Sequence, residues 1–247
     1  NNQVKSICEK SAEANAEKGS NKQKIGDFYA SGMDSVAINK LGISPLKNDF
    51  AKIDAVKDVP SLMKTIAYLH SIGSSSAFTF YVYQDDKNSA KNALQFMQVG
   101  LGLGERDYYF NADKETTVIR NEYVKHLQKM MELAGQKTEV AAKSATAIMK
   151  LETDLAKASR KMEALRDPIK NYNKMSVAQF NAITPNIDWN VTLKDFGIAK
   201  ADTVLVGQPE FYKALNGMLK NYSIEDWKTY LKWSLLNNYA SYLSKDF

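Results

Sequence analysis

What this 247-residue sequence lacks narrows its chemistry before its elements are read. It has 2 histidines, His70 and His126, on separate predicted helices, and the residues after them, Ser71 and Leu127, complete no H-E-x-x-H pair. Zinc hydrolysis takes about three protein ligands plus a base for the metal-bound water, so these residues define no metal site and read as packing histidines. The single cysteine, Cys8, excludes an intrachain disulfide, says little about compartment, and on a polar helix reads as an incidental thiol rather than a nucleophile. No G-x-S-x-G elbow and no Walker loop occurs. No run approaches the ~18 apolar residues of a membrane span. The net charge of +5 comes from lysines scattered among acids, with no basic block to follow a phosphate backbone, so nucleic acid is not indicated as a partner. No linker rich in Pro, Gly or Ser and no internal repeat divides residues 1–247, which read as a single mostly helical region.

What is present is a globular composition, 44% hydrophobic and 25% charged, arranged mainly at helical spacing. Helices are predicted over 3–18 and 24–33, over 35–41 closed by Gly42, and from Ser44-Pro45 toward Ile53. Asp58 and Pro60 mark the start of a helix carrying Leu62, Ile66 and Leu69 up to Gly73. Ile119, Tyr123, Leu127 and Met130 make one helical face, and a second predicted helix runs from a Thr138 cap to Leu165. Their short connection predicts side-by-side packing. Ser176 caps a short helix, Pro209 opens another, and Ser223 with Asp226 starts the last. The β content is small. Phe78, Phe80 and Val82 alternate with Thr79, Tyr81 and Tyr83, and with 93–99 they predict a hairpin, its polar connection 85–89 reading as a long loop rather than a tight turn. Thr203–Val206 reads as a lone apolar strand. The expected fold is mainly α, a multi-helix body with a small β-hairpin element.

The densest stretch is Gln98–Phe110, where Gly100, Gly102 and Gly104 precede Arg106, Asp107, Tyr108 and Tyr109. Its glycine spacing is too weak for a nucleotide loop. It reads as a structural crossover with a partly buried polar knot. On that reading Arg106→Ala leaves buried acceptors unpaired at a cost of about 1–3 kcal/mol. The carboxylate pairs Glu152/Asp154 and Glu225/Asp226 read as solvated helix faces and helix-start acids. Asp85-Asp86 lacks the further oxygen ligands calcium needs. The sequons at Asn190 and Asn221 matter only where exported proteins are glycosylated. No catalytic, cofactor-binding or metal residue is assigned.

Several segments together resemble one family, the zinc endopeptidases of the neprilysin and endothelin-converting-enzyme type, including bacterial oligopeptidase O relatives. They are KIGDFYASGMD (24–34), DDKNS (85–89), GLGLGERDYYF (100–110), LETDLAKAS…RDPIKNYNKMS (151–176) and EDWKTYLKWSLLNNYASYLS (225–244), in order along nearly the whole chain. The resemblance implies the amino-terminal helical cap of such an enzyme, whose closed chamber admits only peptides of limited size. It implies zinc in the parent enzyme but none in this piece, with the parent's own catalytic domain and oligopeptides as partners. Gly104 stands where proline is common, and Gly32 where animal members place a cysteine, which fits a bacterial, disulfide-free relative. The parent is expected outside the cytoplasm, periplasmic or surface-anchored, and the abrupt ends at Asn1 and Phe247 suggest an excised piece. The alternative is a stand-alone helical binding module without peptidase activity. Trp227, Trp233 and Tyr239 of the last helix, read as an exposed aromatic surface, would serve either.

Overall fold

A computed structural model describes all of residues 1–247, which form 12 α-helices and four strands grouped into two compact units. The first unit comprises residues 1–46 and 239–247, the second residues 47–238.

In the first unit α1 (Asn2–Glu13) and α2 (Asn21–Met33) lie against each other, followed by α3 (Ser35–Leu41). Helix α1 stops earlier than its composition predicts, because Ala14 turns to extended backbone. Helix α2 begins earlier, because the Ser20 hydroxyl accepts the Gln23 amide and so replaces a missing intrahelical partner. Asp34 does the same for Ala37 at the start of α3, and Gly42 ends that helix at φ +54.

The second unit opens with α4 (Lys47–Asp54) and α5 (Val59–Ser71). Asp58 and Ser61 form a reciprocal capping box at the start of α5, which presents Leu62, Met63, Ile66 and Leu69 to the core. Strands β1 (Phe78–Asp85) and β2 (Asn88–Gln98) follow, then a 3-10 turn at Arg106–Tyr109. Two long helices, α6 (Lys114–Leu133) and α7 (Thr138–Ala158), pack side by side as their spacing predicts. Lys137, not Thr138, occupies the cap position of α7 and makes no side-chain cap bond.

The rest of the unit is α8 (Met162–Leu165), β3 (Lys174–Ser176), α9 (Val177–Ile183), α10 (Trp189–Asp195), β4 (Thr203–Val206), α11 (Pro209–Asn221) and α12 (Ile224–Tyr239), whose last residue belongs to the first unit. The helix predicted through Leu165 breaks at Ser159 because Arg160 is claimed elsewhere. Its amide donates to Gln98 Oε1 at 2.8 Å, its carbonyl accepts from Gln98 Nε2 at 3.0 Å, and its guanidinium forks onto Glu210 and reaches the Lys170 carbonyl.

The β element is larger than a hairpin. Its four strands run in the order β1-β2-β4-β3, with β4 parallel to β2 through Gln95–Leu205 and Phe96–Val206 and antiparallel to β3. The lone strand at 203–206 is therefore interior, which explains why it is apolar on both faces: Val204, Leu205 and Val206 are all buried. The connection between β1 and β2 is also tighter than expected. Asp85 pairs with Asn88 around a two-residue turn, and the irregularity lies instead in a bulge that brings Gln84 opposite Asn92.

Behind the sheet sits an aromatic core of Phe78, Phe96, Phe180, Trp189 and Tyr212, with Phe180 and Trp189 stacked at 4.3 Å. Gln208, fully buried, joins the layers by accepting the Gln98 amide at 2.9 Å and donating to Asn171 Oδ1 at 2.7 Å.

Asp85 fixes the hairpin end. Its carboxylate accepts from Lys174 Nζ at 2.7 Å, Tyr172 Oη at 2.9 Å and the Lys87 amide at 3.0 Å. The Lys174 bond, with the other two, holds its pKa down at about 2. A depressed carboxylate contributes order that is present above the ordinary aspartate range and lost as pH falls through about 2. Amide signals of residues 85–92, followed by NMR during acid titration, are expected to broaden in that window. In Asp85→Asn that acid step is absent.

Candidate functional site

The polar knot expected near Arg106 exists, but its centre is Glu152. This residue lies on the inner face of α7, between Ile148, Leu151 and Leu155, and is 1% exposed. Helical spacing from these apolar neighbours carries it into the core, where the sequence reading had placed it on a solvated face. Tyr109 Oη donates to its carboxylate at 2.7 Å, Tyr123 Oη at 2.8 Å and Trp233 Nε1 at 3.0 Å. The Gly102 amide is a further donor. The Leu103 amide donates to Tyr109 Oη at 3.2 Å, so the tyrosine is itself fixed by the crossover.

The glycines have a steric reason here. A Cβ at Gly102 would lie 1.8 Å from Tyr123 Oη and 3.1 Å from Glu152 Oε1. Gly100 sits at φ +106 with Tyr230 Oη 2.4 Å from where a Cβ would stand. Tyr230 Oη in turn donates to the Gly100 carbonyl at 2.9 Å and accepts the amide of Ala77, a non-glycine residue at φ +62.

No basic side chain balances Glu152. Burial disfavours the carboxylate, the four donors favour it, and burial wins, pushing its pKa up to about 7. The same burial, with the neighbouring negative charge, drives Tyr109 and Tyr123 far above the ordinary phenol range, so both remain neutral donors. A cavity of about 140 Å³ borders the knot, lined by Ser75, Gly102, Tyr230, Ser234, Asn237 and Asn238. The arrangement can hold and release one proton. It offers no nucleophile and no paired acid and base at reacting distance, so it reads as an anchor rather than a catalytic site.

The other candidate residues disperse. Arg106 meets only Asp107, at 3.3 Å, and the Phe110 ring, 5.0 Å away, with both charged side chains about 30% exposed. It leaves no buried acceptor behind, so the destabilisation expected of its loss is corrected downward. His70 stacks on Phe80 at 5.1 Å and His126 meets Trp233 edge-on at 5.7 Å, as packing histidines do. Cys8 is half-buried and free. Asp86 is exposed, and Asp85 belongs to the hairpin pair. Asp154 accepts from Tyr222 Oη at 2.6 Å, Glu225 pairs with Lys228, and the Asp226 carboxylate accepts from the Ser223 hydroxyl at 2.7 Å. Asn190 and Asn221 are exposed. Trp227 and Trp233, taken as an exposed surface, are instead 0% and 2% exposed, because α12 runs through the core of the second unit. No three His, Cys, Asp or Glu side chains converge where they could hold a metal ion. The residues present do not make the three-ligand set of a catalytic zinc.

The class defined by fold and site is a mainly helical body with a small four-stranded sheet and a buried polar anchor. Residues 1–247 match the amino-terminal domain of Peptidase family M13, and the chain belongs to that family. An endothelin-converting enzyme homolog of Locusta migratoria is 30% identical over 99% of this chain and 36% of its own length. The zinc metalloprotease ZMP1 of Mycobacterium tuberculosis, solved with an inhibitor, superposes with a TM-score of 0.92 at 29% identity over 99% of this chain and 37% of that one. PepO from Lactobacillus rhamnosis, at 17% identity and a TM-score of 0.73, shares the fold. The chain thus spans about a third of the length of the relatives it matches.

Three substitutions separate the anchor from its surroundings. Gly102→Ala displaces the Tyr123 hydroxyl and is expected to cost at least about 2 kcal/mol by denaturant unfolding. Arg106→Ala is expected to cost less than about 1 kcal/mol, since its ion pair is solvated. Glu152 has its pKa raised from 4.5 to about 7, so the stability it contributes is complete below the unfolded value and is lost as pH rises through about 7. The loss is on the order of 3 kcal/mol. Thermal midpoints between pH 5 and pH 8 check this: wild type is expected to fall across that range, and Glu152→Gln to stay nearly flat.

Proposed function

We propose that this chain is the non-catalytic amino-terminal part of a zinc metalloendopeptidase that cleaves oligopeptides, and that it walls the reaction chamber so as to restrict substrate size. The observation that supports this reading is the superposition on an inhibitor-bound zinc metalloprotease along essentially the whole of this chain but only 37% of that one. The zinc ligands and the reacting groups then belong to the parent's catalytic domain, the direct partner of this piece. The parent works outside the cytoplasm, periplasmic or surface-anchored, and is of bacterial type; the family resemblance of the motifs supports this part of the reading.

In this role the chain's own residues supply rigidity. The Glu152 knot ties the glycine crossover to α6, α7 and α12, so the wall moves as one piece within the second unit. The coding sequence beyond Phe247 gives the first check. An H-E-x-x-H followed by a downstream glutamate supports the reading, whereas an immediate stop codon transfers it to a stand-alone helical binding module. The complete gene product is then expected to hydrolyse fluorogenic oligopeptides, to lose activity on zinc chelation, and to spare an unfolded protein substrate. Residues 1–247 alone are expected to hydrolyse none of them. Equal cleavage of short peptides and unfolded protein would remove the size-restricting role.

A further inference from the structure

The first unit, residues 1–46 and 239–247, has almost no interior. Its buried side chains are Ser11, Leu46, Leu243 and Ser244, while Gly26 closes the α1–α2 contact so tightly that a Cβ there would stand 2.2 Å from the Ser11 carbonyl oxygen. Its larger apolar side chains point outward instead: Phe28 is 83% exposed, Val36 79%, Val4 64%, Met33 63% and Ile7 56%. Single exposed apolar residues are ordinary on a protein surface. A helical unit that exposes most of its apolar side chains and buries two leucines is not, because burial of that surface is what holds helices together. The second unit shows the contrast, with nine large aromatic side chains fully buried, from Trp189 to Phe211.

We propose that these exposed side chains of α1, α2 and α3, with Phe28 as the anchor, form a docking surface for the remainder of the parent polypeptide, its catalytic portion. This rests on the function proposed above. Two features select that occupant. The relatives continue for about two thirds of their length outside the matched region, so a large protein partner is covalently at hand. Residues Asn1 and Phe247 both fall in this unit, so any continuation of the chain joins it here. The unit's charge also points to protein. Seven lysines are balanced by six acids, which gives no basic excess for a membrane or a nucleic acid to read. An aromatic side chain as exposed as Phe28 is the kind of group that becomes a central contact once covered.

Hydrogen exchange on the 247-residue chain and on the complete gene product tests this directly. Amides of residues 2–41 are expected to exchange roughly tenfold or more slowly in the complete product, since local opening then requires undocking. Phe28→Asp, and independently Val36→Asp, are expected to remove that protection in the complete product while leaving exchange in residues 59–71 and 138–158 unchanged. Equal exchange of residues 2–41 in the two proteins overturns the proposal. So does a coding sequence that stops at Phe247, or a concentration-dependent dimer of the short chain protected at the same amides, which makes a second copy the occupant. A complete product that protects these helices but cleaves no peptide keeps the docking surface and removes the peptidase reading. One that cleaves peptides with these helices unprotected does the reverse.

Discussion

A carboxylate taken out of water without a cation needs donors from every side, and Glu152 has them from four separate stretches of the second unit. Tyr109 reaches it from the 3-10 turn, Tyr123 from α6, Trp233 from α12 and the Gly102 amide from the crossover. Each donor is held in turn, Tyr109 by the Leu103 amide and Tyr123 by a packed edge contact with Trp233. The cost of an unpaired buried charge makes this arrangement all-or-none. It therefore specifies how the crossover meets the helices, which apolar packing alone would leave less defined.

The sheet depends on a comparable seam of neutral polar groups. Gln98 ends β2 and exchanges two hydrogen bonds with the Arg160 backbone, while buried Gln208 accepts the Gln98 amide and donates to Asn171. These bonds stop α7, aim the following segment at the sheet and fix where α11 begins. The aromatic layer of Phe78, Phe96, Phe180, Trp189 and Tyr212 then fills the space so defined. Both seams lie where chain segments distant in sequence meet, and the long helices between them carry mostly aliphatic contacts.

The chain belongs to Peptidase family M13, and its buried polar side chains meet one another rather than converging as metal ligands. Its polar residues are spent on internal architecture: the histidines on ring packing, Asp85 on a hairpin end, Glu152 on a crossover. These buried polar groups fix the shape of the second unit by tying together segments that lie far apart in sequence.

The helices were legible in the sequence because their determinants are local. Asp58 with Ser61, Ser176 with Gln179 and the 3.6-residue rhythm of α6 and α7 act within a few residues, and these helices form there, although α7 is capped by Lys137 rather than Thr138 and ends at Ala158 rather than Leu165. The glycine crossover was legible too, since Gly100 and Gly104 adopt backbone that disfavours side chains. What the sequence could not decide depends on partners far along the chain. Glu152 and Asp154 are two residues apart on one helix with the same charge, yet the first is the buried centre of the knot and the second meets Tyr222 nearer the surface. Only the position of α12, 81 residues away at Trp233, separates them. The interior place of Thr203–Val206 and the burial of Trp227 likewise follow from sheet and helix packing. Local propensity determined the elements, and tertiary packing decided which of their polar residues water would never reach.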